Sequence, residues 1–166
     1  MSRAFVNEDH AAAQASQPVE RRVSAQPNHV TASGLALLQQ RVAGLDALRS
    51  ELLALGDRAD KQRLADIDRD LRYFRARVQS ALVVPPATSR DKVQIGSRVR
   101  YIDENDQEHT VQLVGEDQAN ATCGLVNWGS PLGRALLGAG PGDEVLWQRP
   151  AGNQMIEVVT VGPGED

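Results

Sequence analysis

The chain is 166 residues long, enough for one ordinary domain or two small ones, and holds six aromatic residues: Phe5, Phe74, Tyr73, Tyr101, Trp128 and Trp147. So few large rings argue against an enclosed substrate pocket, and hence against an enzyme in its own right. The net charge of −4 is unevenly divided: residues 1–30 are neutral, 31–90 carry +3 and 91–166 carry −7, which makes the last segment a poor general binder of nucleic acid.

Cys123 is the single cysteine, so an intrachain disulfide and a CxxC metal or redox site are both excluded, and a small buried or half-buried thiol is expected. His10, His29 and His109 are scattered, with no partner at metal-ligand spacing. No apolar run has the length of a membrane span, and the start MSRAFVNEDH lacks the basic-then-apolar order of a secretion signal. A cytoplasmic protein without membrane contact is expected.

Residues 1–30 are rich in Ala, Gln, Ser and Pro, with single apolar residues at no period. Such a segment buries too little to offset its ordering entropy, so it reads as a disordered tail. The pattern changes at Thr31. Thr31 or Ser33 can cap a helix whose apolar stripe runs Leu35, Leu38, Val42, Leu45, Leu48, Leu52 and Leu55, and Gly56 then ends it. After a short polar turn, Asp57-Arg58-Ala59-Asp60, the stripe resumes at Leu64, Ile67, Leu71, Phe74 and Val78.

Two helices joined so closely fold back as an antiparallel hairpin, each burying its stripe against the other. With roughly 22–24 residues per arm at ~1.5 Å rise, a finger of roughly 35 Å results. Its outer faces carry Arg63, Arg69, Arg72, Arg75 and Arg77 among Asp66, Asp68 and Asp70, the composition of a solvated helix surface with i,i+3 and i,i+4 pairs.

Pro85-Pro86 removes backbone donors and closes the helical region, which sets a hairpin over 31–84 and a linker over 85–92. Beyond it the sequence alternates. Strands are expected around Val93–Ile95, Ser97–Ile102 and His109–Val114, with a turn at Glu104-Asn105-Asp106, then at Asp143–Gln148 and Met155–Val161 about a turn at Pro150–Asn153. Between the pairs, Ser130 suits an N-cap and Pro131 the first helical position, giving a short helix over Pro131–Leu137. The fold class is α+β: a helical hairpin, then an antiparallel β domain over 93–162 with one short helix, and a tail over 163–166.

Thr31-Ala32-Ser33-Gly34-Leu35, Leu55-Gly56-Asp57-Arg58, the run Arg63–Tyr73, and Ser130-Pro131-Leu132-Gly133-Arg134-Ala135-Leu136-Leu137 followed by Gly142-Asp143-Glu144 carry a resemblance, in this order. The chain resembles the bacterial Gre transcript-cleavage factors of the GreA/GreB type and their short-armed relative Rnk, from about Thr31 to Val161.

That resemblance implies an FKBP-like C-terminal domain without isomerase activity that docks on core RNA polymerase, with the finger entering the secondary channel. The chain would be a monomer with no cofactor of its own. Mg²⁺ would be present only within the polymerase active site, where a tip carboxylate helps hold it while the polymerase hydrolyses backtracked RNA. Carried onto this sequence, Asp57 and Asp60 are the tip acids, Arg58, Lys61 and Arg63 line the path of the nascent RNA, and Arg134, Ser130 and Pro131 contact the polymerase.

Other readings remain open at this point. Asp57 and Asp60 are also the residues expected of a helix stop and the next N-cap. The family's Asn-Ala-acid-Tyr stretch at the tip is missing, and each arm is shorter by roughly one heptad, on the order of 10 Å of reach. A channel competitor without cleavage activity, of the Rnk kind, fits that shortening. A coiled-coil interaction adaptor, with the helices pairing between chains, is the reading from another class.

Overall fold

A computed structural model describes residues 18–165. In chain order the regular elements are β1 (His29–Val30), α1 (Ala32–Ala54), a 3-10 turn (Gly56–Arg58), α2 (Lys61–Ser80), β2 (Leu82–Val83), β3 (Arg98–Ile102), β4 (Glu108–Val114), β5 (Leu125–Asn127), α3 (Pro131–Leu136), β6 (Glu144–Trp147) and β7 (Gln154–Gly162). They pack as two units, whose division runs through both long helices. One holds the described residues up to Val23 with Gln40–Ala76, and the other holds Ser24–Gln39 with the chain from Arg77 onward.

The first unit is the distal part of the helical hairpin. Leu52, Ile67 and Leu71 are buried, with Val42, Leu45 and Leu64 packed against them, so the two stripes meet as their spacing requires. Each fully buried aliphatic side chain contributes roughly 1.5–3 kcal/mol by leaving water. Leu48 and Leu55 stand at the exposed margin of the stripe. Across the seam Arg49 Nε donates to Asp68 Oδ1 at 2.7 Å, and Arg75 pairs with Asp46. These pairs act on register more than on stability, since exposed ion pairs contribute roughly 0–1 kcal/mol.

The second unit is built on a five-stranded sheet of order β5-β4-β3-β7-β6. Four neighbouring strands are antiparallel, but β5 runs parallel to β4, with Gln112 opposite Leu125 and Val114 opposite Asn127. The sheet is therefore mixed and not wholly antiparallel. The parallel pairing is possible because the chain crosses between β4 and β5 through two 3-10 turns, Glu116–Gln118 and Ala121–Cys123. Val99, Tyr101, Leu113, Ile156, Val158 and Val161 point from the sheet into one core, closed by Leu132 and Leu136 of α3.

Several expectations change. Residues 1–17 of the expected tail lie outside the described residues, but Asn28–Val30 is ordered structure. β1 pairs in parallel with β2, and Leu82 N donates to Asn28 O and Val84 N to Val30 O, both at 2.9 Å. Two short strands suffice because the backbone groups of Asn28–Val30 find partners on the chain just leaving α2. Residues 93–95 form no strand: Ser97 N turns back onto Gln94 O, while Val93 and Ala139 hold each other through Val93 N→Ala139 O at 2.8 Å. Glu165 of the expected terminal tail is bound to Arg98 Nη1 at 2.9 Å.

Arg77, read as part of a solvated face, is 2% exposed. Its Nε donates to Asp117 Oδ2 at 2.7 Å, Glu116 lies 3.6 Å away, and Asn28 Oδ1 accepts from its Nη2. Cys123, expected at least half-buried, is exposed, because it ends the surface 3-10 turn between β4 and β5.

Candidate functional site

The hairpin tip is made by a left-handed glycine. Gly56, at φ +57°, reverses the chain after α1, and a 3-10 turn follows in which Arg58 N donates to Leu55 O and Ala59 N to Gly56 O. Asp57 and Arg58 lie in that turn, exposed. Ala59 then takes an extended conformation (φ −67°, ψ 141°). The three-residue spacing of Asp57 and Asp60 therefore does not span one helical turn, because Ala59 breaks the helix between them.

The two carboxylates are consequently in different states. Asp60 caps α2: its Oδ1 accepts from Gln62 N at 3.0 Å and Arg63 N at 3.1 Å, while its carbonyl accepts from Leu64 N at 3.0 Å. Asp57 accepts no hydrogen bond from any described residue and faces solvent. The structure thus leaves one carboxylate free at the tip and assigns the other a structural duty.

Arg58 in the same turn, and Lys61 and Arg63 just after it in the chain, are all exposed. Lys61 and Arg63 occupy the first turn of α2, which holds no acidic residue. A helix N-terminus disfavours cations by roughly 0.3–1 kcal/mol each. Their position there is therefore not one that local helix stability selects.

The second cluster of sequence-selected residues sits at α3. Asn127 O accepts from Ser130 Oγ at 2.7 Å, and Ser130 Oγ accepts from Gly133 N at 3.1 Å, so Ser130 is the N-cap and Pro131 the first helical residue. Ser130 is thus occupied within the fold, whereas Pro131 and Arg134 are exposed. Leu136 is buried in the core, whereas Leu137 is 38% exposed beside the helix end.

Sequence reasoning missed two arrangements. On the distal hairpin, Glu20 pairs with Arg72, while Arg21 lies 3.9 Å from the Tyr73 ring centroid and 3.5 Å from Asp70. The only available signal was the charged triplet Glu20-Arg21-Arg22 in a polar, Ala-rich segment. In the other unit, Thr31 Oγ1 caps α1 through Gly34 N at 3.0 Å, as one of the two expected caps, but it also donates to Gln118 Oε1, whose amide donates to Ser33 Oγ, and this link was not foreseen. A Cβ on Gly34 would stand 2.8 Å from Gln118 Oε1, so the Thr-x-x-Gly spacing reflects close approach as well as capping.

Residues 87–163 match the family model described as transcription elongation factor, GreA/GreB, C-term. The chain is 31% identical to transcription elongation factor GreB of Neisseria meningitidis serogroup B (strain ATCC BAA-335 / MC58), over 81% of this chain and 93% of that protein. It is 37% identical to transcription elongation factor GreA of Polaromonas naphthalenivorans (strain CJ2), over 68% and 77% respectively. Among solved structures, it is similar to the GreA factor homolog 1 (Gfh1) protein of Thermus thermophilus, with 25% identity, 82% of this chain and 99% of that one covered, and a TM-score of 0.40. With identity of 31% extending over 93% of the Neisseria protein, the chain belongs to the GreA/GreB family of transcription elongation factors.

Proposed function

We propose that this protein binds core RNA polymerase in the cytoplasm, inserts its helical hairpin into the secondary channel and stimulates hydrolysis of backtracked RNA through Asp57. The observation that carries the reading is the exposed Asp57 carboxylate, held on a tight turn by Gly56 and hydrogen-bonded to none of the described residues. Hard divalent cations take oxygen ligands, and a carboxylate supplied from outside can complete the coordination of a metal the polymerase already holds. The chemistry then belongs to the polymerase, and this chain contributes a ligand and its position.

Arg58, Lys61 and Arg63 would steer the RNA phosphates past the tip, which explains cations retained at the N-terminal end of α2. Arg134 and Pro131, exposed on α3, would contact the rim of the polymerase, with Ser130 fixing the helix that presents them.

A second reading has its own support. Asp60 is consumed as a cap, so the tip offers one free carboxylate instead of two, and such a finger could occupy the channel without promoting cleavage. Backtracked elongation complexes mixed with wild type, Asp57→Ala and Asp60→Asn separate the readings. Fragment release that disappears in Asp57→Ala and persists in Asp60→Asn supports the Asp57 role. Binding without release by wild type leaves channel occupancy alone. A stable dimer that fails to bind polymerase removes both and leaves an adaptor.

A further inference from the structure

The outer face of the sheet carries a positive cleft that neither the tip nor α3 uses. Arg90, Arg98, Arg100, Thr110, Thr160 and the Val161–Pro163 backbone line an open depression of about 400 Å³. The register explains the cluster. Arg100 on β3 lies directly between Thr110 on β4 and Thr160 on β7, so a guanidinium and two hydroxyls share one face across three strands. Arg98, two residues along β3, falls on the same face.

Its charge runs against its surroundings. Residues 91–166 carry −7, yet two of their five basic residues, with Arg90 just before them, line this one cleft, and no carboxylate among the described residues is part of its lining. Two carboxylates reach in from the side. Glu108 Oε1 lies 3.2 Å from Arg100 Nε without hydrogen-bond geometry, leaving that buried N–H unsatisfied. Glu165 Oε1 accepts from Arg98 Nη1 at 2.9 Å, its side chain 84% exposed and its carbonyl held by Gln112 Nε2 at 3.1 Å.

Guanidinium forks and hydroxyls are all donors to an oxyanion, and the fork geometry suits phosphate. The acidic remainder of the domain opposes a long polyanion, whereas a single phosphoryl group is small enough to sit among the three guanidinium groups. We propose that the outer face of β3, β4 and β7 is a binding site for a small phosphorylated ligand, gripped by Arg90, Arg98 and Arg100, with Glu165 as a tethered carboxylate that the ligand displaces from Arg98.

Backbone amide NMR of the full chain, titrated with inorganic phosphate against sodium chloride at matched ionic strength, tests this. Phosphate should shift the amides around Arg98, Arg100, Thr110 and Thr160 saturably, where chloride does not. Arg100→Ala should weaken binding by about tenfold, the loss of a charge-assisted hydrogen bond. Glu165→Gln should tighten it by about threefold, because an exposed competing ion pair is removed. That gain cannot come from unfolding. Equal shifts with chloride, unchanged affinity in Glu165→Gln, or tighter binding of a single-stranded oligonucleotide than of phosphate at this face would each overturn the proposal.

Discussion

Asn28 and Arg77 hold each other by two opposed hydrogen bonds. Arg77 Nη2 donates to Asn28 Oδ1 at 2.8 Å, and Asn28 Nδ2 returns to the Arg77 carbonyl at 2.8 Å. With Asp117 on Arg77 Nε, this satisfies a guanidinium that is almost wholly removed from water. The segment entering α1 is thereby tied to the end of α2 by side chains as well as by the β1–β2 pairing.

Asn28→Ala should therefore destabilise the protein by about 1–3 kcal/mol, and Arg77→Ala by about 3–5 kcal/mol, because the latter removes the buried guanidinium that Asn28 and Asp117 both bind. Urea denaturation of the two variants checks this. No change in Asn28→Ala would mean that residues near 28 behave as a solvated tail after all.

Two glycines in helices should respond in opposite directions. A Cβ on Gly133 would meet Asn127 O at 2.2 Å and Trp128 O at 2.6 Å, both backbone atoms that cannot swing away. Gly133→Ala should cost about 1–3 kcal/mol, as expected for overpacking that moves the main chain. Gly44 in α1 has nothing within 4 Å of that position, so Gly44→Ala should stabilise by about 0.5–1 kcal/mol. Thermal melts of both variants give the signs directly.

What the sequence made legible was what depends on spacing along one element. The Leu52, Ile67 and Leu71 seam, the Gly56 stop and the Ser130 cap each follow from periodicity or a local hydrogen bond, and each is present. What escaped depends on partners far apart in the chain. Arg77 lies one step from the stripe residue Val78, so its burial is decided by Asn28 and Asp117, 49 and 40 residues away. The parallel pairing of β5 needs the route through two 3-10 turns, which no alternation pattern encodes. At the site the residue types were readable, but the division of labour between Asp57 and Asp60 turned on the single extended conformation of Ala59.

The turn between β3 and β4 should be acid-sensitive. Asp103 Oδ2 lies 2.8 Å from His109 Nε2, and its Oδ1 accepts from Asn105 N and Gln107 N at 2.8 and 3.0 Å. These contacts, the His109 hydrogen bond foremost, hold the carboxyl below its ordinary value of 3.8. A carboxyl lowered in the folded state stabilises above its unfolded pKa, and that contribution fades as pH falls through the folded value. Stability should therefore drop below about pH 4 more steeply in wild type than in Asp103→Asn. Denaturant midpoints between pH 2 and pH 6 measure the difference, and superimposable profiles would exclude the Asp103 contribution.

Stability measurements at the tip should separate the two acids before any polymerase is added. Asp60→Ala removes the acceptor for Gln62 N and Arg63 N and should cost about 1 kcal/mol, while Asp60→Asn keeps an equivalent cap and should cost little. Asp57→Ala removes an exposed side chain that is hydrogen-bonded to none of the described residues, so its effect should stay within about 0.5 kcal/mol. A loss of activity in Asp57→Ala at unchanged stability then reports on the carboxylate itself, whereas the same loss in Asp60→Ala is compromised by a frayed α2. Should Asp57→Ala instead unfold at markedly lower urea, its carboxylate is part of the turn's own structure, and the functional assignment to a free tip acid fails.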